Sequence, residues 1–404
     1  MICRRLKEMT SFIVMDVLER AQEMERAGES VIHLEVGEPD FNTPEAVKTA
    51  AIEALHRGET HYTHSLGTQE LREAICNYYA ETYGVRNIDS DQIIVTSGTS
   101  PAFLVAMSAI LECGEEVVLS NPHYACHPNF VRFLDAVPKM IPVYEEDGFQ
   151  YRPEMIKAAL TPKTKAILIN SPANPTGNLL GADRMAEIAD MGRLILSDEI
   201  YHGLVYEGRA LSALEFTDNC IVFNGFSKLF AMTGWRLGYL IVPRHLIRPI
   251  QKMVQNFFIS ANSMAQAAGL TALTDPSVRK DIERMLETYN RRRQYIVPRI
   301  REMGFGITVE PTGAFYVFAN ARRFTDDSYS FAFEVLENAK VGITPGVDFG
   351  SNAEGYVRFS YANSLENIKE GLNRLERYLA SRKRGAESKV QPTSEASSYR
   401  LAAR

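Results

Sequence analysis

The sequence predicts an α/β fold: a mostly parallel β-sheet covered by helices, followed by a smaller α+β unit. Three observations predict it. Short β-branched runs recur through the middle of the chain, each ending in polar or small residues and most leading into a helical stretch. These runs are near-continuously apolar, the pattern of strands buried on both faces of a sheet. Beyond about Asp275 the grammar changes to one long charged helix and then to alternating strands, as in an α+β unit.

Taken in order, Asp16 to Arg26 reads as a helix followed by Gly28, and Val31-Ile32-His33-Leu34 as a short strand. Gly37 to Pro44 is a turn-rich connector, with Thr43-Pro44 opening the next helix. The apolar runs are Ile93-Ile94-Val95, Val117-Val118-Leu119, Ala166-Ile167-Leu168-Ile169, Leu194-Ile195-Leu196, Ile221-Val222-Phe223 and Tyr239-Leu240-Ile241-Val242. Sheets of this kind bind ligands outside the carboxyl ends of their strands. A helix from Val278 to Met303, strands at Phe315-Tyr316-Val317-Phe318 and Tyr356-Val357-Arg358-Phe359-Ser360, and a closing helix through about Leu379 make up the second unit. The expected organisation is an N-terminal segment, 1–45, that joins the small domain; a large domain, 46–277; the small C-terminal domain, 278–381; and a disordered tail, 382–404, poor in hydrophobic residues.

Composition narrows the function. The 404 residues are 45% hydrophobic and 23% charged, which is ordinary for a globular protein with an ample core. A formal net charge of −6 leaves no basic field for nucleic acid or an anionic membrane surface. Five scattered cysteines without a Cys-x-x-Cys pair point to no metal or redox site and suit a reducing compartment. The N-terminus shows no signal-peptide pattern, and no run approaches the roughly 18 apolar residues of a membrane span. The expectation is a soluble cytoplasmic protein.

Four segments at strand ends carry chemistry. Thr96-Ser97-Gly98-Thr99-Ser100-Pro101 joins a strand to an apolar helix; the free N–H groups of such a turn bind a phosphate, although a plain helix start reads the same way. Asn174-Pro175-Thr176-Gly177 follows another strand, as a simple turn or as a turn that places the Asn174 amide on the rim. Asp198 closes a buried strand, where a lone carboxylate is expensive; its partner is either an Arg or Lys or a protonated pyridine nitrogen. Lys228 follows a buried strand among apolar residues, which depresses its pKa and makes it nucleophilic, and Arg236 supplies a second cation suited to phosphate.

These segments, and above all Ser227-Lys228 with Gly234-Trp235-Arg236, resemble the class I aminotransferases, the fold-type-I pyridoxal-phosphate enzymes, from about Phe12 to Leu379. The branch it looks most similar to holds the prokaryotic aspartate, aromatic and alanine aminotransferases. The resemblance implies a seven-stranded sheet, pyridoxal 5'-phosphate as cofactor, and transamination between an L-amino acid and a 2-oxo acid, 2-oxoglutarate foremost, by a ping-pong mechanism. It implies that Lys228 is the cofactor anchor and catalytic base, that Asp198 pairs with the pyridine nitrogen, and that Asn174 and Tyr201 bond the cofactor 3'-oxygen. Ser97, Gly98, Thr99, Ser227 and Arg236 hold the phosphate by the same comparison, and Tyr124 takes the ring-stacking place where many relatives have Trp. Arg358 receives the substrate α-carboxylate, with Gly37 and Asn174 beside it. Tyr62 reaches the phosphate of a neighbouring subunit, which implies a homodimer with shared sites.

Competing readings remain on the same scaffold. A β-lyase or another enzyme acting at the α-carbon would share the anchoring residues. A cofactor-binding regulator domain would need a DNA-binding module, for which the first 30 residues are too few. A generic nucleotide-binding protein would need a Gly-rich phosphate loop after the first strand, and none occurs. The helix after Thr99 offers no Lys or Arg, and Ser11-Phe12-Ile13-Val14-Met15 is largely apolar, so neutral or aromatic donors are expected unless His61, His64 or a partner's arginine supplies a cation.

Overall fold

The computed structural model describes residues 2–390. Its strands are β1 (Ile32–His33), β2 (Ile93–Thr96), β3 (Glu116–Asn121), β4 (Val137–Pro142), β5 (Thr164–Asn170), β6 (Leu194–Asp198), β7 (Cys220–Gly225), β8 (Gly238–Ile241), β9 (Tyr316–Asn320), β10 (Val341–Gly342), β11 (Thr344–Pro345) and β12 (Tyr356–Ser360). Seven of them form one sheet in the order β2-β8-β7-β6-β5-β3-β4, so the fold is α/β with a mostly parallel sheet. Only β8 runs against its neighbours in that sheet, pairing antiparallel with both β2 and β7. The carboxyl ends of the other six therefore open on one edge.

The sheet is buried on both sides because the middle stretches of its inner strands are continuously apolar, as in Ala166–Ile169 and Leu194–Leu196. Val118, Ile167, Ile169, Ile195 and Val222 face one core. Their neighbours Val117, Leu119, Leu168, Leu196 and Phe223 face the other. On that second side the helix Thr99–Ile110 lies against the sheet, and Phe103 stacks on Phe223 with ring centroids 3.9 Å apart.

β4 has no counterpart among the runs read from the sequence. It is an edge strand with Pro138 and Pro142 inside it, and Val137 is exposed. Proline is tolerated at an edge because the missing N–H faces no partner.

Beyond the helix Pro276–Met303, β9, β11 and β12 form an antiparallel sheet in which Arg358 lies opposite Phe318 and Thr344. The N-terminal segment joins this part of the chain. β1 pairs in parallel with β10, and the helix Ile13–Arg26 begins on the Asp348 carboxylate. The last helix runs Leu365–Val390, past the expected end near Leu379, through a stretch rich in Arg, Lys, Glu and Ala, which are good helix formers. The remainder of the expected tail, 391–404, lies outside the described residues.

Candidate active site

The strand ends and the N-terminal segment enclose a cavity of about 310 Å³. Ten of the residues expected from the sequence line it: Gly37, Thr99, Tyr124, Asn174, Asp198, Tyr201, Ser227, Lys228, Arg236 and Arg358. Ser97, Gly98 and Tyr62 do not. Ser97 faces a separate small cavity beside Val95 and Pro101. Gly98 lies behind Arg236, and Tyr62 is 80% exposed on its loop.

Lys228 follows the carboxyl end of β7, and its Nζ donates to the Gly37 carbonyl oxygen at 2.7 Å. The amine opens onto the cavity, so the residue is only part-buried, yet protein encloses it closely. Burial is the main force that lowers its pKa to about 8; Glu38 opposes this, while Arg358 and Arg236 add to it. The site thus favours the neutral, nucleophilic amine more than water would.

At one end of the cavity the helix Thr99–Ile110 starts without a side-chain cap, leaving its first N–H groups free. Arg236, at φ 52°, turns its guanidinium under the same corner. A Cβ placed on Gly98, itself at φ 94°, would lie 2.6 Å from Arg236 Nη2, so the glycine is what lets the turn and the cation meet. Uncapped N–H groups beside a guanidinium suit a phosphate.

Asp198, at the end of β6, lines the cavity near its base. Its Oδ2 lies 2.9 Å from His127 Nε2, and its Oδ1 accepts from the Ile200 amide at 3.2 Å. The sequence pointed to an Arg, a Lys or a pyridine nitrogen as its partner; the protein partner is the buried imidazole of His127. That residue starts the short helix His127–Phe133, three residues past Tyr124. The Tyr124 ring meets His127 edge-on at 5.1 Å and Phe12 at 6.0 Å.

Arg358 is buried in the middle of β12 and is held by acceptors on both arms. Nη1 donates to Asn174 Oδ1 at 2.8 Å, and Nη2 to the Glu35 carbonyl at 2.6 Å and to Thr344 Oγ1 at 3.2 Å. The guanidinium lies between the rings of Tyr316, at 4.4 Å, and Phe349, at 4.9 Å. Tyr316 also bonds Tyr201, hydroxyl to hydroxyl at 2.7 Å, and burial raises the pKa of both phenols above the ordinary range.

His127 and Tyr316 escaped the sequence reading. A buried carboxylate at a strand end suggests an Arg, a Lys or a cofactor before an imidazole from a distant helix, and Tyr316 reads as one more apolar residue in an alternating strand.

The chain's sequence matches the family described as aminotransferase class I and II over residues 29–375. The chain belongs to that family. It is 44% identical over 382 residues to a (5-formylfuran-3-yl)methyl phosphate transaminase from Methanocaldococcus jannaschii, covering 94% of this chain and all of that one. It is 38% identical to aromatic-amino-acid aminotransferase 2 of Thermococcus litoralis, covering 88% and 93% of the two chains. The solved structure of Thermus thermophilus aspartate aminotransferase with maleate superposes with a TM-score of 0.89 at 36% identity, over 93% of this chain and 99% of that one.

The cofactor of this aminotransferase is pyridoxal 5'-phosphate, and the cavity suits it on its own evidence. An amine of lowered pKa, a carboxylate held by an imidazole and an anion-binding corner meet at one space of suitable volume.

Proposed function

We propose that the enzyme transfers an amino group from an L-amino acid to a 2-oxo acid, with 2-oxoglutarate as the first acceptor to test, by a ping-pong mechanism. The observation that carries this reading is that the Lys228 amine and the Arg358 fork line a single cavity. A donor and an acceptor each present a carboxylate beside the reacting carbon. One fork and one amine serve both only in turn.

Each residue has a role in this reading. Arg236, the uncapped helix start at Thr99, and Ser227 bind the phosphate, with Gly98 making room for the Arg236 guanidinium. Asp198, held by His127, faces the pyridine nitrogen. Asn174 and Tyr201 orient the ring through its 3'-oxygen, and Tyr124 packs on its face. Arg358 takes the α-carboxylate in a planar, two-pronged grip, with Gly37 beside it. Lys228 Nζ removes and returns the α-proton. When bound, pyridoxal phosphate supplies the electron sink for the charge left at the α-carbon.

The assembly proposed is a homodimer in the cytoplasm. Tyr62 and Phe257, 80% and 69% exposed, lie on segments joined by the Thr63 amide and Ser260 Oγ at 3.3 Å. Exposed aromatic side chains on two linked segments are suited to burial against a second copy. The cysteines of the chain are free, as a reducing compartment would keep them.

The deciding experiment incubates the loaded enzyme with single donors, first without and then with 2-oxoglutarate or pyruvate. Without acceptor, the 2-oxo product should stop at one equivalent per site, and turnover should resume when acceptor is added. Continuous product release from a donor alone, with ammonia, would overturn transamination in favour of a lyase.

A further inference from the structure

The helix Ile13–Arg26 carries part of the cavity wall on its first turns: Phe12, Val14, Met15 and Leu18 all line the space. No side chain of its own caps that helix. Its leading amides are taken instead by a carboxylate from the far end of the chain. Ile13 N–H donates to Asp348 Oδ1 at 2.9 Å, and Val14 N–H to Asp348 Oδ2 at 3.2 Å. Asp348 is buried and does not itself line the cavity.

The neighbours of Asp348 connect it to the rest of the site. Phe349, the next residue, supports the Arg358 guanidinium, and its carbonyl accepts from His123 N–H at 3.0 Å, directly before Tyr124. One short segment, Gly346–Phe349, thus touches the carboxylate fork, the ring-stacking loop and the start of the apolar wall.

We propose that Asp348 is a positioning residue that sets which donor side chains the enzyme accepts, by fixing the first turn of the apolar wall. The proposal rests on the transaminase reading of the site. A capping carboxylate satisfies two unpaired N–H groups and complements the positive end of the helix. Without it the first turn frays, and Phe12, Val14 and Met15 no longer stand ready. A large apolar donor must then order them as it binds. Alanine, whose methyl group reaches the wall least, is affected least.

The test compares loaded wild-type enzyme with Asp348→Ala and Asp348→Asn. For Asp348→Ala, kcat/KM for phenylalanine should fall tenfold or more, mainly through KM, while that for alanine stays within threefold. Asp348→Asn, which keeps one acceptor oxygen, should fall between. Amide exchange at Ile13 and Val14 should accelerate in the same order. Binding of 3-phenylpropanoate relative to propanoate, measured by displacement without turnover, should weaken in parallel. Equal losses on both donors, no loss on either, or unchanged exchange at Ile13 and Val14 would overturn the proposal. If Asp348→Ala does not fold, Asp348→Asn alone carries the comparison. A wild-type enzyme that transaminates no donor would defeat the transaminase reading instead, and exchange and analogue binding would still decide the role of Asp348.

Discussion

Lys228 Nζ reaches across 2.7 Å to the Gly37 carbonyl, so the amine after β7 is tethered to the loop that leads out of β1. That bond orients a lone group whose charged form the site disfavours. With a pKa of about 8, about one amine in ten is neutral at pH 7, far more than for an ordinary lysine. The apo-protein should therefore capture pyridoxal phosphate faster as pH rises, by about tenfold per unit below pH 8, and level off above it. The sign follows from the shift: a lowered pKa removes the ammonium form as pH climbs through 8. Borohydride reduction followed by peptide mapping should place the cofactor on Lys228. Lys228→Ala should lose the fixed label and most turnover. A label on another lysine would defeat the assignment.

How much of this was legible in the sequence depends on what each residue's partner is. Strands such as β5, β6 and β7 were readable because burial on both faces demands unbroken apolar runs, and Asn174, Asp198 and Lys228 stood out as polar residues where those runs end. β4 was hidden by Pro138 and Pro142, which only its edge position permits, and β10 and β11 are too short to show a period. His127 and Asp348 were invisible for another reason. Each acts on a group far away in the chain, Asp198 and the Ile13–Val14 amides, and no local pattern records such a pairing.

The pair Asp198–His127 supports a second prediction. Asp198→Ala should slow the half-reaction with a single donor by at least about a hundredfold, the scale on which preorganised charge acts in active sites. His127→Phe leaves one carboxylate oxygen without its buried partner, a cost of about 1–3 kcal/mol. Turnover in that variant should fall by roughly ten- to a hundredfold. Rapid-scanning spectra of the half-reaction, with cofactor saturated, measure both. Near-normal rates in Asp198→Ala would remove the carboxylate from the mechanism.

Tyr62 provides a third test, because its exposure leaves it free to serve a neighbouring subunit. Lys228→Ala and Tyr62→Phe protomers, mixed and allowed to exchange, should yield heterodimers with one doubly defective site and one intact site. Activity should then rise above that of either variant alone. If Tyr62→Phe is impaired and exchange is demonstrated, a mixture that gains nothing would confine Tyr62 to its own chain.

The last prediction concerns the donor. The apolar part of the cavity lining includes Phe12, Val14, Met15, Leu18 and Phe130, and the cations lining the cavity are Lys228, Arg236 and Arg358, each with a role already given. A distal carboxylate placed against that wall would lose its hydration without gaining a partner, at a cost of several kcal/mol. Relatives of this chain include both an aromatic and an aspartate aminotransferase, so family membership leaves the choice of donor open. The wall favours neutral and aromatic side chains. Measured with 2-oxoglutarate as acceptor, kcat/KM for phenylalanine, methionine and alanine should be substantial, and aspartate should hold no large advantage. A preference for aspartate beyond about a hundredfold, roughly 2.7 kcal/mol of discrimination, would require a cation at the distal carboxylate. Substitution of His61 or His64, the exposed histidines beside Tyr62, would then show whether the partner subunit supplies it.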